Sequence, residues 1–415
     1  MGCEWKASTL SVLADIQTGP FGSQLHASDY VVNGIPSIMP QNIGDNIISE
    51  QGIARISALD VKRLNRYLVK TGDIVYSRRG DVEKRALIRA HQSGWLCGTG
   101  CLRVRPNMEV IDPVFLSYHL GNPLTRAWIV QHAHGATMPN LNTEILSAVP
   151  IVVPSMEVQQ SIAATLSCLD DKIELNNKIN ANLEAQAQAI FKSWFVDFEP
   201  FQDGEFVDSE LGQIPKGWRV VPFTEIVDVL GGGTPKTDVP EYWNGTIPFF
   251  TPKDVSGAYT ISTQKTLTQQ GIKNCNSRLY PQNTVFITAR GTVGKVTLAG
   301  NNMAMNQSCY ALRSKHPYSQ YFIYQLTLGV VDALKNKATG AVFDAIVTRD
   351  FENETVVLPH IDVITKYTSI VEPMFKLILK NLHESKTLSH IRDGMLPRLM
   401  SGEIEIKHLD NRLER

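Results

Sequence analysis

The feature that most constrains this chain is that it states one pattern twice, a little over 200 residues apart. Trp5, Leu10, Leu13, Asp15 and Gly19 recur as Trp218, Phe223, Ile226, Asp228 and Gly232 at a constant offset of 213. Ile35, Pro36, Pro40 and Ile43 answer to Ile247, Pro248, Pro252 and Val255 at 212, and Val75, Arg79 and Gly80 to Phe286, Arg290 and Gly291 at 211. The offset is 206 at Tyr118 and Leu120 against Tyr324 and Leu326. It is 205 from Gly135 and Ala136 against Gly340 and Ala341 through Pro154 against Pro359. A unit this long is a whole domain with an appended helix, far beyond the roughly 20 to 50 residue periods of solenoids. The chain is a tandem duplication, and its function should use two similar but diverged surfaces.

With 415 residues, 43% of them hydrophobic, the chain can build two ordinary cores. No apolar run approaches the roughly 18 residues that span a bilayer, and the start of the chain, with Glu4, Trp5 and Lys6, lacks the apolar region of a signal peptide. These features predict a cytoplasmic protein that does not enter membranes. The six cysteines are isolated except Cys97 and Cys101, which have no second ligand pair, so free thiols are expected rather than a metal site. A formal net charge of −1 says little by itself. Its distribution says more: nine Lys or Arg against four acids lie between Asp60 and Ala90, whereas six acids and no Lys or Arg lie between Asp197 and Gly212. Such segregation gives a neutral chain the means to present a basic face, though many charge runs are only solvated surface.

Residues 1–155 read as a mixed, strand-rich domain. Short β-prone runs at Ile74-Val75-Tyr76, Leu102-Arg103-Val104 and Val149 to Val153 alternate with turn signals, and a helix is predicted from Pro113 to Leu120. Residues 156–198 then follow 4-3 apolar spacing without Gly or Pro. The predicted seam runs through Ile162, Leu166, Leu169, Ile173, Asn176, Asn180, Leu183, Ala187, Ile190 and Trp194. Residues 199–213 read as an acidic linker, 214–360 as the second domain, 361–402 as the second long helix and 403–415 as a tail. The second seam repeats the first at Tyr367, Val371, Met374, Ile378, Asn381, Ser385, Leu388, Arg392, Met395 and Leu399. Pro373 inside it predicts a kinked or late-starting first turn.

Two helices that each carry one apolar stripe bury it most economically against each other. Antiparallel pairing would relate the domains by a pseudo-twofold axis and hold them apart as a ruler. It would also bring Asn176 near Asn381 or Ser385, either as a polar layer fixing register or as seam-edge side chains reaching water. The expected fold is therefore α+β, two mixed domains each followed by a long helix, with the helices paired as an antiparallel coiled coil.

Enzyme signatures fail when their spacing is tested. Gly291 to Val296 resembles a P-loop, but Ala289 stands at the first glycine position and Val296 at the hydroxyl. Gly231-Gly232-Gly233-Thr234-Pro235 has no dinucleotide-binding frame, His132 and His134 lack zinc-site context, and Asn122-Pro123-Leu124-Thr125 is an incomplete adenine methyltransferase motif. What remains are basic and amide side chains on turns, suited to phosphates and base edges. In the first domain these are Ser23 and Gln24, Arg78 and Arg79, and Lys84 and Arg85; in the second, Thr234, Lys236, Lys253, Arg290 and Lys295. The alternative for each is an ordinary solvated turn shared for folding.

The run from Leu169 to Asn180, with Leu183-Glu184 and Ala189 to Phe198, resembles the central region of the specificity (S) subunits of type I restriction-modification enzymes. Gly19 to Ser23, Pro36-Ser37-Ile38, Ile214 to Trp218 and Leu396 to Ile404 are similar to that family as well. The chain departs from the family where Val158-Gln159 and Val363-Ile364 stand in place of the usual Glu-Gln near the helix starts. The resemblance implies that each domain reads half of a bipartite, asymmetric target in double-stranded DNA and that the helices set the unread gap. It further implies two methyltransferase (M) subunits carrying S-adenosylmethionine, restriction (R) subunits using ATP and Mg, and no catalysis or cofactor in this chain. The aromatic cluster Phe191, Trp194, Phe195, Phe198 and Phe201 would dock an M subunit or pack internally. A non-catalytic tandem scaffold binding two proteins through its helices is the alternative function.

Overall fold

The computed structural model describes residues 5–135, 139–337 and 345–404. Ala136, Gly340 and Ala341 of the repeat, and residues 405–415 of the tail, lie outside them. The chain divides into two compact units, Met1–Lys172 with Leu388–Arg415, and Ile173–Thr387. The two long helices, Met156–Phe195 and Ile361–Met400, each contribute one portion to each unit.

In the first unit the apolar run near residue 75 becomes the strand Ile74–Ser77, buried along its whole length at the centre of a four-stranded antiparallel sheet. Its neighbours are Cys101–Pro106 on one side and Arg85–Leu87 on the other, and Ala14–Thr18 closes the far edge. A smaller sheet sets Tyr30–Ile38 between Ala54–Ile56 and Leu96–Cys97, the last pair parallel. The helix Pro113–Gly121 begins where Asp112 accepts a hydrogen bond from the Phe115 amide at 2.8 Å, with proline in its first turn. Its buried Phe115 and Leu116 join Ile74, Tyr76, Leu102 and Val104 in one core, completed by Ile162, Leu166, Leu396 and Leu399 from the long helices.

The second unit repeats this plan. Val227–Gly231, Cys309–Ser314, Val285–Thr288 and Val296–Ala299 form the main sheet, with Tyr259–Thr260 added in parallel at its edge. The smaller sheet is Lys265–Leu267, Trp243–Phe250 and Ala304–Met305. In the first unit the place of the added strand holds one parallel bridge between Asp45 and Arg85. Gly19 and Gly232 show why part of the pattern had to be repeated. A Cβ on Gly19 would lie 2.1 Å from the Gly98 carbonyl oxygen, and one on Gly232 would lie 2.2 Å from that of Asn306. Backbone against backbone leaves no room for a side chain in either copy.

Within each unit the helix segments run antiparallel. In the second, Asn176 meets Ser385, Asn180 meets Asn381, and Phe191, Trp194 and Phe195 pack against Tyr367. In the first, Arg392 Nη1 reaches Asp170 Oδ1 at 2.5 Å, and Asp170 also accepts from the Tyr118 hydroxyl at 2.6 Å. Ile162, Leu166, Asn176, Ile378 and Asn381 are buried, while Leu169, Ile173, Leu183, Ile190 and Leu388 are half-buried, as expected of a seam. Pro373 neither delays nor ends its helix, which is continuous from Ile361. The proline is exposed, so the Ser369 carbonyl that loses its partner is on the side where water replaces it.

The asparagines form a buried polar layer rather than reaching solvent at the seam edge. Asn176 is 0% and Asn381 6% exposed. Asn176 Nδ2 donates to Glu384 Oε2 at 2.9 Å and Ser385 Oγ at 3.2 Å, and Asn381 Nδ2 donates to Asn180 Oδ1 at 2.9 Å. A double-mutant cycle with alanine at Asn180 and Asn381 is expected to show about 1 kcal/mol of coupling by denaturant unfolding, the worth of one buried hydrogen bond. Strict additivity would mean that the two amides do not meet.

The acidic linker is more ordered than its composition predicts. It holds a turn at Glu199–Phe201 and a hairpin pairing Phe206–Ser209 with Gly212–Pro215. Phe198 and Phe201 stack edge-on against Trp218, and Phe195 packs on Phe322 and Tyr367. The aromatic cluster is thus part of the second unit's own core.

His119 sits in the first unit where Gln325 sits in the second. It is 5% exposed, and its Nε2 accepts from the Val152 amide at 3.2 Å. Burial pushes its pKa down to about 4. The unfolded chain, with an ordinary histidine near 6.5, binds the proton first, so stability falls as pH drops from about 6.5 toward 4. The loss should reach about 3 kcal/mol at a slope near 1.4 kcal/mol per pH unit. His119→Gln should remove this component; an unchanged slope in pH-dependent unfolding would place the titration elsewhere.

Candidate nucleic-acid interface

Both units carry an Arg-Gly pair on the turn that leaves the central strand. Ile74–Ser77 runs into Arg78, Arg79 and Gly80, and Val285–Thr288 into Ala289, Arg290 and Gly291. Gly80 and Gly291 have φ of 76° and 82°, in the left-handed region where a Cβ is strained. Arg79 and Arg290 also pair through their backbones with Asn140 and Ala345. The glycine and the backbone pairing therefore explain the turn, whereas the arginine side chains stay exposed and do not form its core.

In the second unit this turn forms one wall of a cleft of about 780 Å³. Thr234, Lys253, Arg290 and Lys295, named from sequence, all line it, together with Gln264, Lys265, Asn306 and Gln307, which were not. Four cationic and three amide side chains thus face one space, and among the described residues no carboxylate lines it. Asp254, next to Lys253, is turned inward and accepts from the Thr251 and Gln264 amides at 2.8 Å each. Lys265 Nζ lies 5.2 Å above the ring of Trp243, whose Nε1 donates to the Lys236 carbonyl at 3.1 Å. Lys236 is exposed but does not line the cleft; its contribution is the carbonyl that orients Trp243. Such a surface can bind a polyanion and offer hydrogen bonds to base edges.

The first unit departs further from the sequence reading. Ser23, Arg79 and Lys84 are exposed, with Lys84 paired to Asp81 at 2.8 Å. Gln24 is committed locally: its Oε1 accepts from the Tyr67 hydroxyl at 2.8 Å and the Phe21 amide at 3.3 Å. Arg78 is half-buried, with Nε enclosed. Arg85 is 3% exposed and internal, donating from Nε to the Ser117 carbonyl at 2.8 Å and from Nη1 to Asp45 Oδ1 at 2.7 Å. Sequence charge alone did not separate this strut from its exposed neighbour Lys84.

Lys265, Asn306 and Gln307 escaped notice because they have no counterparts in kind. Strand register aligns them with Ala54, Gly98 and Thr99 of the first unit. Comparison of the two halves for repeated residues finds the shared frame and passes over residues present in one half alone.

A duplicated α+β frame with a cation- and amide-lined cleft defines the class, a paired-domain protein equipped to recognise nucleic acid. The chain belongs to the family of the type I restriction modification DNA specificity domain, which matches residues 3–185 and again 215–389. It is 28% identical over 420 residues to the type I restriction enzyme MjaIX specificity subunit of Methanocaldococcus jannaschii, covering 98% of this chain and 95% of that protein. It is 26% identical over 438 residues to the HindI specificity subunit of Haemophilus influenzae, covering 90% and 95%. The solved structure of the type I restriction-modification S subunit from M. genitalium shares the fold, with a TM-score of 0.58 and 16% identity over 96% of each chain. No described helix is long and apolar enough to cross a membrane.

Proposed function

We propose that this chain is the DNA-specificity subunit of a type I restriction-modification complex. Each unit reads one half of a split, asymmetric duplex target, and the paired helices set the unread gap. Methylation belongs to M subunits carrying S-adenosylmethionine, and ATP- and Mg-dependent cleavage to R subunits. This division of labour places the chain in the cytoplasm as a recognition component, with no catalysis of its own. The observation that carries the reading is the second unit's cleft, lined by four cations and three amides and walled on one side by the Arg-Gly turn that both units repeat. Family membership supports the same conclusion.

Coexpression with the methyltransferase subunit, followed by single-molecule mapping of adenine methylation, tests the proposal. A split motif with a fixed gap is expected. One heptad inserted into both long helices adds about 10 Å and should widen the gap by about three base pairs. A stable complex that methylates nothing would favour the tandem-scaffold alternative, and an unchanged gap would refute the spacing role of the helices.

A further inference from the structure

The second unit's cleft has an uneven supply of hydrogen-bonding groups. Gln307 and Asn306 are amides, which ordinarily offer both a donor and an acceptor. Here each carbonyl oxygen already accepts one hydrogen bond from within the unit. The Thr234 hydroxyl donates to Gln307 Oε1, and the Ser308 amide donates to Asn306 Oδ1 at 3.1 Å. Neither NH2 end donates to another described residue, so both remain available to a ligand in the cleft these residues line. Around them stand Lys253, Lys265, Arg290 and Lys295, which can only donate, and among the described residues no carboxylate lines the space.

Base pairs differ in the major groove in how they answer such a surface. Guanine presents two acceptors, N7 and O6, and thymine one, O4, beside its methyl group, whereas adenine sets a donor beside its acceptor and cytosine presents a donor. A surface rich in donors matches guanine and leaves the donors of adenine and cytosine facing N–H groups. Gln264 is the remaining amide in the lining.

We propose that Thr234 is a positioning residue that fixes the Gln307 amide with its NH2 outward, and that the second unit consequently selects guanine in its half-site. The inference rests on the DNA-reading function proposed above and goes further by naming the base and the residue that orients its reader. The corresponding place in the first unit is Thr99, so the preference belongs to one half of the target.

The test is selection from duplexes randomised in both half-sites, using the full chain assembled with its methyltransferase subunit. The native protein should select guanine at one or more positions of one half-site. Gln307→Glu, an exposed substitution that turns the donor into an acceptor, should weaken binding to that site about tenfold or more and move the preference at one position toward adenine or cytosine. The other half-site should not change. Thr234→Val removes the hydroxyl that holds Oε1, so the amide can turn; discrimination of guanine over adenine at that position should fall with little loss of total affinity. That change of preference is a readout a merely structural threonine would not move. A native half-site without guanine, or the same preference in both variants, overturns the inference while leaving the DNA-reading function in place. Absence of any sequence preference in the native complex overturns both.

Discussion

Alanine at Lys253, Arg290 and Lys295 together should reduce affinity for the specific duplex about 100-fold at 0.15 M salt. It should also lower the slope of log K against log salt by about 2.7. Each cation that neutralises a phosphate releases about 0.9 of a condensed counterion, and the free energy of that release grows as the salt is diluted. The three side chains line one cleft and are exposed, so their removal should leave folding stability within about 0.5 kcal/mol. Fluorescence anisotropy over a salt series, on specific and scrambled duplexes, separates two roles. A loss shared by both duplexes marks phosphate contacts; a loss confined to the specific duplex marks base reading. An unchanged slope would remove the cleft from the DNA interface.

The repeat made the architecture legible because the same physical constraints act twice. Gly19 and Gly232 recur where backbones touch, Gly80 and Gly291 where φ is positive, and the seam residues where two helices share one apolar stripe. The cleft residues obey no such constraint. Lys265 and Gln307 stand opposite Ala54 and Thr99, and only strand register brings them beside Arg290. Charge in sequence was similarly blind to direction, since Lys84 is exposed at the end of a turn while its neighbour Arg85 opens a fully buried strand. The late start expected at Pro373 is absent for a related reason: its cost depends on whether water can reach the carbonyl it frees, which spacing does not tell.

Arg85→Ala tests that distinction with an effect on folding instead of binding. The guanidinium fills a buried slot over Gly121, where a Cβ would lie 1.8 Å from Nη2, and its Nε holds the Ser117 carbonyl. Asp45 on the other side has a side chain 64% exposed, so water accepts its charge when the arginine is gone. The cost is therefore not that of a fully orphaned buried charge. It is the lost hydrogen bond to the Ser117 carbonyl plus the space left by the side chain, about 3 kcal/mol together. Lysine should rescue little, because an ammonium cannot supply the planar fork that serves Ser117 and Asp45 at once. Lys84→Ala, one residue away and paired only at the surface, should cost less than about 1 kcal/mol. Denaturant unfolding of the two variants should thus differ several-fold in effect, while the salt slope of DNA binding by Arg85→Ala, measured where it is folded, should match the native chain. Loss of salt slope at unchanged stability would mean that Arg85 faces the DNA and that the Ser117 contact does not hold it.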